Sequence, residues 1–320
     1  MTHNKIFSPF ILLRLLGIIL FIYILSQIDI GKIGKALSNL DTGVFTLGIL
    51  FQLFVLLFKA VRWHLMNDGR SGVNHWTLST GRFLESYAIG VVTPGRLGEL
   101  LKAGHEETKK DKTGAIVRVI SERGFDVGIF VLAAGIALLS NNVFTIMHWI
   151  TILIILLSII LLYISFLLLN SIKTLKLIQQ LIRKTSKKTK DFKISGKQYS
   201  GKTVLLIFLL SVLSNLSYFI SCFFLAQSVF LEVPFVVSSG GVAIAGLLNM
   251  LPITIMGLGT REMVFLTVFQ PFSEPVILAF SATMLFVAQI GGGLFSMILG
   301  QILLFGRRKK AESGELRAKS

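Results

Sequence analysis

The chain has 320 residues, of which 53% are hydrophobic and 15% charged, and its formal net charge is +16. Several apolar runs reach the roughly 20 residues needed to cross a bilayer, which excludes an ordinary water-soluble domain and sets the expectation of an all-α polytopic membrane protein. In such a chain a basic surplus marks cytoplasmic loops that meet anionic headgroups, at about 1 kcal/mol per Lys or Arg near the surface, and not nucleic acid.

The first run, Pro9 to Ile28, is too long for a signal-peptide core and has no small-residue cleavage site before Asp29, so it reads as a retained span. A second span, about 42–58, leads into a basic stretch with Lys59, Arg62 and Arg70. The next apolar segment, 76–92, is broken at Thr93-Pro94-Gly95. Lys109-Lys110-Asp111-Lys112 then precedes a span at 113–140, and the Asn141-Asn142 turn leads to another at 143–170. The loop 171–202 carries ten Lys/Arg against one acid, Asp191. A span at 203–231 follows, then a second broken segment, 236–256, and a last span at 276–305 before the basic cluster Arg307-Arg308-Lys309-Lys310.

The positive-inside rule places the loop 171–202 and the C-terminal cluster in the cytoplasm. Charge parity then forces each broken segment to start and end on one face. The expected fold is therefore about six full spans plus two re-entrant helical hairpins in an inverted-repeat arrangement, a plan on which many transporters are built. Residues 1–141 form the first repeat, with a cytoplasmic-side hairpin at about 76–112. Residues 142–310 form the second, with an outer-side hairpin at about 235–272, and 311–320 form a polar cytoplasmic tail. Both termini are expected in the cytoplasm, at the plasma or inner membrane.

The two turns offer matched chemistry. The first contains Thr93, Pro94, Gly95, Arg96, Gly98 and Glu99; the second contains Pro252, Gly257, Gly259, Arg261 and Glu262. Pro and Gly end helices and leave backbone N–H groups unpaired. Such backbone persists at membrane depth only where it lines a wet cavity or is buried in protein. A helix start attracts anions, and an arginine adds a fork that fits phosphate. The plainer reading is a pair of local Arg–Glu ion pairs at surface turns. Downstream, "RVISERGFD" places Arg118, Glu122 and Asp126 at i, i+4 and i+8 on one helix face, beside Arg123. These form either a charged wall, with Arg82 and Glu85 as further members, or an intrahelical salt-bridge ladder. The single cysteine, Cys222, gives no disulfide framework and reads as a small core residue. The five histidines show no metal-ligand spacing, so neither metal nor cofactor is expected. Gly291-Gly292-Gly293 and Gly300 read as close helix packing.

Taken together and in order, "TPGRLGELLK", "ERGFD" and "LPITIMGLGTRE" resemble the flippase-like transmembrane domain family, named after the membrane half of lysylphosphatidylglycerol synthase/flippase proteins. The resemblance covers about residues 5–310. It implies movement of lipids or lipid-linked sugars between leaflets, and it departs at the second turn, where Ile255-Met256 stands in place of the usual Pro-Gly-Gly run. Some members carry a soluble aminoacyl-transfer domain, which the loop 171–202 is too short to hold.

The leading expectation is a non-enzymatic translocator of a phospholipid or polyprenyl-phosphate-linked lipid with an anionic headgroup, with the basic loop 171–202 lying on an anionic leaflet. The alternatives are an accessory scaffold for a glycosyltransferase or envelope-lipid enzyme, and an intramembrane lipid-modifying enzyme using Glu122 and Asp126. A second copy of the chain and an envelope-biosynthesis enzyme are the protein partners this reading allows. Cysteine-accessibility labelling tests the topology: positions 110 and 187 label from one face, positions 141 and 232 from the other. Labelling of 110 and 187 from opposite faces removes the inverted repeat.

Overall fold

The computed structural model describes residues 30–67, 73–104, 112–140, 148–170, 199–251, 254, 256–270 and 272–319. Among them all regular structure is helical, as expected for backbone that has to satisfy its own hydrogen bonds in hydrocarbon. The order is α1 (Ile30–Ser38), α2 (Thr42–Asn67), α3 (Val73–Val92), a 3-10 segment (Pro94–Gly104), α4 (Lys112–Ser140), α5 (His148–Asn170), α6 (Gly201–Ser228), α7 (Phe235–Met250), α8 (Thr260–Val268) and α9 (Glu274–Met284). The last continues through a π-helical stretch (Leu285–Gly291) into α10 (Gly292–Lys319).

Among the described residues, five helical stretches are long and apolar enough to cross a membrane: Thr42–Asn67, Gly114–Ser140, His148–Asn170, Gly201–Ser228 and Glu274–Phe305. They coincide with five of the six expected spans. The sixth, 9–28, lies outside the described residues, as do Arg70, Lys109-Lys110-Asp111, Asn141-Asn142 and loop residues 171–198.

One boundary differs in a way that bears on function. The apolar run of α2 ends near residue 58, but the helix continues to Asn67. It carries Lys59 and Arg62, which the sequence reading sets in a basic stretch beyond the span, into the protein interior. The physical reason is that both cations find carboxylates on α4, so the helix has no need to end where its apolar run does.

Long-range packing pairs α2 with α6, α4 with α5 and α7, and α3 with α10. Phe265, Phe269 and Phe280 form the centre of the largest apolar cluster, with centroids 5.0 Å apart for Phe265–Phe280 and 5.4 Å for Phe265–Phe269. Cys222 is buried in the same cluster, as a small core residue.

At both expected breaks the chain doubles back. Lys102, on the 3-10 segment, reaches the ring of Phe83 on α3 at 5.5 Å. Phe269, just past α8, lies against Gly241 near the start of α7. The first hairpin depends on Gly98, where an added Cβ would stand 2.7 Å from the backbone carbonyl of Ile89. That contact is with backbone and cannot yield by a rotamer change. Gly98→Ala is therefore expected to lower stability by about 1–3 kcal/mol. Gly201→Ala, where an added Cβ meets nothing within 4 Å, should stay within about 0.5 kcal/mol of the parent. Thermal unfolding in detergent compares the two.

Candidate functional site

Arg62 is the centre of the site, with 0% of its surface exposed. An arginine does not deprotonate in a protein, so burial demands counter-charge. It comes from α4: Nη2 donates to Glu122 Oε1 at 2.8 Å, and Nη1 donates to Asp126 Oδ1 at 2.7 Å. From α6, Ser211 Oγ accepts from Nη1 at 2.8 Å, and Asn215 Nδ2 donates to Asp126 Oδ1 at 3.0 Å. The remaining carboxylate oxygens are taken as well. Lys59 donates to Asp126 Oδ2 at 3.0 Å, and Lys102 donates to Glu122 Oε2 at 2.5 Å. Lys102 also lies 4.8 Å from the Trp63 ring centroid, a cation–π contact.

The shared helix face of Glu122 and Asp126 is thus real, but its partners are on α2 and the 3-10 segment. Of the two readings left open, the intrahelical ladder does not describe these carboxylates, whose hydrogen-bond partners lie on other segments; Arg118 is buried and does not line the cavities described below.

The first turn is built by strain and pinning. Gly95 and Arg96 both have left-handed backbone, φ 61 and φ 53. For arginine this conformation costs roughly 1–2 kcal/mol. Arg123 holds it, since its Nη2 donates to the Arg96 carbonyl at 3.0 Å and pairs with Glu99 Oε2 at 3.0 Å. Thr93 Oγ1 accepts from the Gly98 N–H at 2.7 Å, so that N–H is occupied. Pro94 opens the 3-10 segment. Arg96 itself is loosely held: its Nη1 lies 3.7 Å from Glu99, beyond hydrogen-bond length, and its guanidinium lies 5.8 Å from the Tyr87 ring centroid.

The second turn repeats the backbone and changes the finish. Met256 and Gly257 are left-handed in succession, φ 56 and φ 74, and Gly259 has φ 82. Met256 therefore adopts a conformation that a glycine would take freely, at a cost of roughly 1–2 kcal/mol, where the sequence departs from the Pro-Gly-Gly pattern. Pro252 lies outside the described residues. The start of α8 does not offer its N–H groups freely to an anion. Glu262 Oε2 accepts from the Gly259 N–H at 2.7 Å, which closes the helix start with the chain's own carboxylate. Arg261 Nη2 donates to Glu262 Oε1 at 2.6 Å, and its Nε donates to Ser281 Oγ at 2.7 Å. This ion pair is buried, not a surface pair. Arg261 Nη1 is buried and has no hydrogen-bond partner among the described residues.

Two small cavities meet between the hairpins. The first, of about 40 Å³, is lined by Gln52, Lys59, Tyr87, Arg96, Arg123 and Asp126 among others. The second, of about 20 Å³, includes Met256, Gly257, Arg261 and Gln289. Tyr218, Gly246 and Asn249 line both. Of the charged residues lining the first cavity, three are cations and one is a carboxylate, leaving two positive charges in excess. Neither Arg82 nor Glu85 lines this cavity; Glu85 accepts from Gln301 Nε2 at 3.3 Å across to α10.

Sequence reasoning missed Arg62, Lys59 and Lys102 as site residues, and also Gln52, Tyr218, Asn215 and Asn249. Gln52, Val55, Lys59, Arg62 and Met66 recur at alternating spacings of three and four, one face of a helix. That spacing, carried past the end of the apolar run, was the available signal.

A family model described as Lysylphosphatidylglycerol synthase TM region matches residues 10–300. No curated protein matches the chain.

Removing Arg62 leaves Glu122 and Asp126 without their shared cation. Arg62→Gln is expected to cost about 3–5 kcal/mol, the usual penalty for breaking a buried pair from one side. Pairing it with Asp126→Asn should recover part of the loss. Detergent-solubilised unfolding of the single and double variants measures both.

Proposed function

Starting from the fact that the chain belongs to the Lysylphosphatidylglycerol synthase TM region family, we propose that it moves a lipid with an anionic headgroup between the leaflets of a cell membrane, without covalent chemistry. The observation that carries this reading is the buried cavity whose lining holds Lys59, Arg96 and Arg123 against the single carboxylate of Asp126. With Arg62, Lys102, Glu99 and Glu122 counted as well, the network still holds two positive charges in excess, which attract an anion to this partly enclosed cavity. Arg96, which meets the Tyr87 side chain and lies 3.7 Å from Glu99, presents its planar fork at the cavity wall, where it fits phosphate oxygens. The unpartnered Arg261 Nη1 adds a donor on the adjoining cavity.

The two hairpins are re-entrant in this reading, dipping from opposite faces and meeting where Tyr218 and Asn249 are shared. The cavities as they stand have room for a few waters, at roughly 10–15 Å³ each. Admitting a headgroup requires the hairpins to part. Opening at Tyr218 and Asn249 joins the two cavities into one site, served from either leaflet in turn. Acid–base catalysis by Glu122 or Asp126 has little to recommend it, because every oxygen of both carboxylates already accepts from Arg62, Lys59, Lys102 or Asn215.

The test is translocation of fluorescent phosphatidylglycerol in reconstituted vesicles. Arg96→Gln should slow it about 10- to 100-fold, the worth of charge-assisted hydrogen bonds at roughly 1.5–3 kcal/mol. Arg96→Lys should recover only part, since it keeps the charge and loses the fork. Arg261→Gln should also be severe, and the double variant no worse than either single if both arginines serve one site. Two silent single variants would falsify the shared-site reading.

A further inference from the structure

Gln52 on α2 and Gln289 in the π-helical stretch are the two buried side-chain amides whose oxygens have no hydrogen-bond partner among the described residues. They are 3% and 8% exposed. Buried polar atoms are nearly always paired, so two orphan acceptors in one region call for a donor that comes from elsewhere.

Each glutamine also stands on a boundary. Gln52 lines the charged cavity and a lateral groove of about 430 Å³ bordered by Phe45, Leu53, Phe286, Gly292 and Phe295. Gln289 lines the Arg261 cavity and a second groove of about 360 Å³ bordered by Val92, Met256, Gly293, Leu294 and Met297. Both grooves are largely apolar, and both abut the π-helical stretch, a helical irregularity found mostly at functional sites.

The glycines that follow this stretch support the same picture. Gly300 does serve close packing, as expected, with an added Cβ 3.1 Å from the Gly81 carbonyl oxygen. Gly292 and Gly293 do not. A Cβ on Gly292 first meets Gln52 Nε2 at 3.6 Å, and one on Gly293 first meets Val91 Cγ1 at 3.7 Å. These are ordinary contacts, so helix packing does not require glycine at either position. What the missing side chains leave is open space, one residue facing each groove.

We infer that the two grooves seat the hydrocarbon chains of the translocated lipid, and that Gln52 and Gln289 select for a hydrogen-bond donor, a hydroxyl or ammonium group, beside its anionic group. The inference rests on the anionic-lipid reading above and adds a specificity to it. Adjacency supplies the occupant, since Gln52 lines both the charged cavity and one groove, and Gln289 lines both the Arg261 cavity and the other. A molecule whose charge sits with Lys59 and Arg96 has its neck at the glutamines and its chains in the grooves, and only an amphiphile meets all three surfaces.

The test compares two probes of equal charge and equal chains in reconstituted vesicles. Phosphatidylglycerol carries headgroup hydroxyls; phosphatidylmethanol carries none. The parent protein should move phosphatidylglycerol about fivefold faster, the value of one neutral hydrogen bond. Gln52→Leu and Gln289→Leu should each bring the phosphatidylglycerol-to-phosphatidylmethanol rate ratio toward one, whatever their effect on the absolute rates, and an undiminished ratio in both variants overturns the glutamine assignment. Equal rates for the two probes in the parent protein overturn the glutamine assignment and leave the anionic-lipid reading standing. Failure to move either probe instead refutes that reading.

A binding arm decides the grooves independently of transport. Phosphatidylglycerol with a diazirine in its chain should label Leu53 and Leu294 in preference to Leu206 and Leu209, which are exposed on α6. Excess unlabelled phosphatidylglycerol should suppress the groove labelling only. Uniform labelling of all four positions overturns the groove assignment.

Discussion

A guanidinium with no exposed surface organises this protein. Arg62 stays charged, and a buried charge without compensation costs several kcal/mol. Two carboxylates of α4 supply that compensation, and they carry one negative charge more than Arg62 needs. Lys59 and Lys102 take up that excess and overshoot it. With Arg96, Glu99 and Arg123 the described network holds five cations and three carboxylates. The positive excess gathers at the cavity because the fully enclosed pairs are already neutralised. The same contacts join α2, α4, α6 and the first hairpin, so one electrostatic demand sets both the packing and the chemistry of the site.

The two hairpins show how one backbone device can serve different purposes. Each breaks with two consecutive left-handed residues, Gly95-Arg96 and Met256-Gly257. In each pair one residue is not glycine, so each turn stores strain of the kind that persists only where surroundings over-determine it. The finishing differs. The first turn is pinned from outside by Arg123 and leaves Arg96 loosely held. The second is closed from within by Glu262 and Ser281 and leaves only one arginine nitrogen spare. The likeness lies in the backbone, and the halves contribute unequal charge to the cavity.

Much of this was legible beforehand, and the failures have physical causes. Apolar runs located five spans because hydrophobic length is a strong constraint in lipid. Pro, Gly and charge located both turns because those residues are costly there. Arg62 and Lys59 were misread because hydropathy ends a span where charges begin, whereas the helix ends where hydrogen-bonding partners end. Glu262 pairs with Arg261, but its second oxygen also caps α8, and capping geometry depends on a rotamer that sequence does not specify. Gln52 and Gln289 lay inside runs read as plain spans, and their orphan oxygens are visible only once the neighbours are placed. The glycines at 292 and 293 illustrate the same limit, since sequence cannot separate a glycine that admits a helix from one that leaves a groove.

The central claim is that excess positive charge around a buried cavity selects an anionic lipid. The most direct measurement is native mass spectrometry of protein extracted from vesicles of equal phosphatidylglycerol and phosphatidylcholine. The account predicts that the parent protein retains phosphatidylglycerol preferentially and that the Lys59→Gln/Arg96→Gln double variant loses the preference while staying folded. Retention of both lipids in equal amounts by the parent protein, or an undiminished preference in the folded double variant, would contradict it.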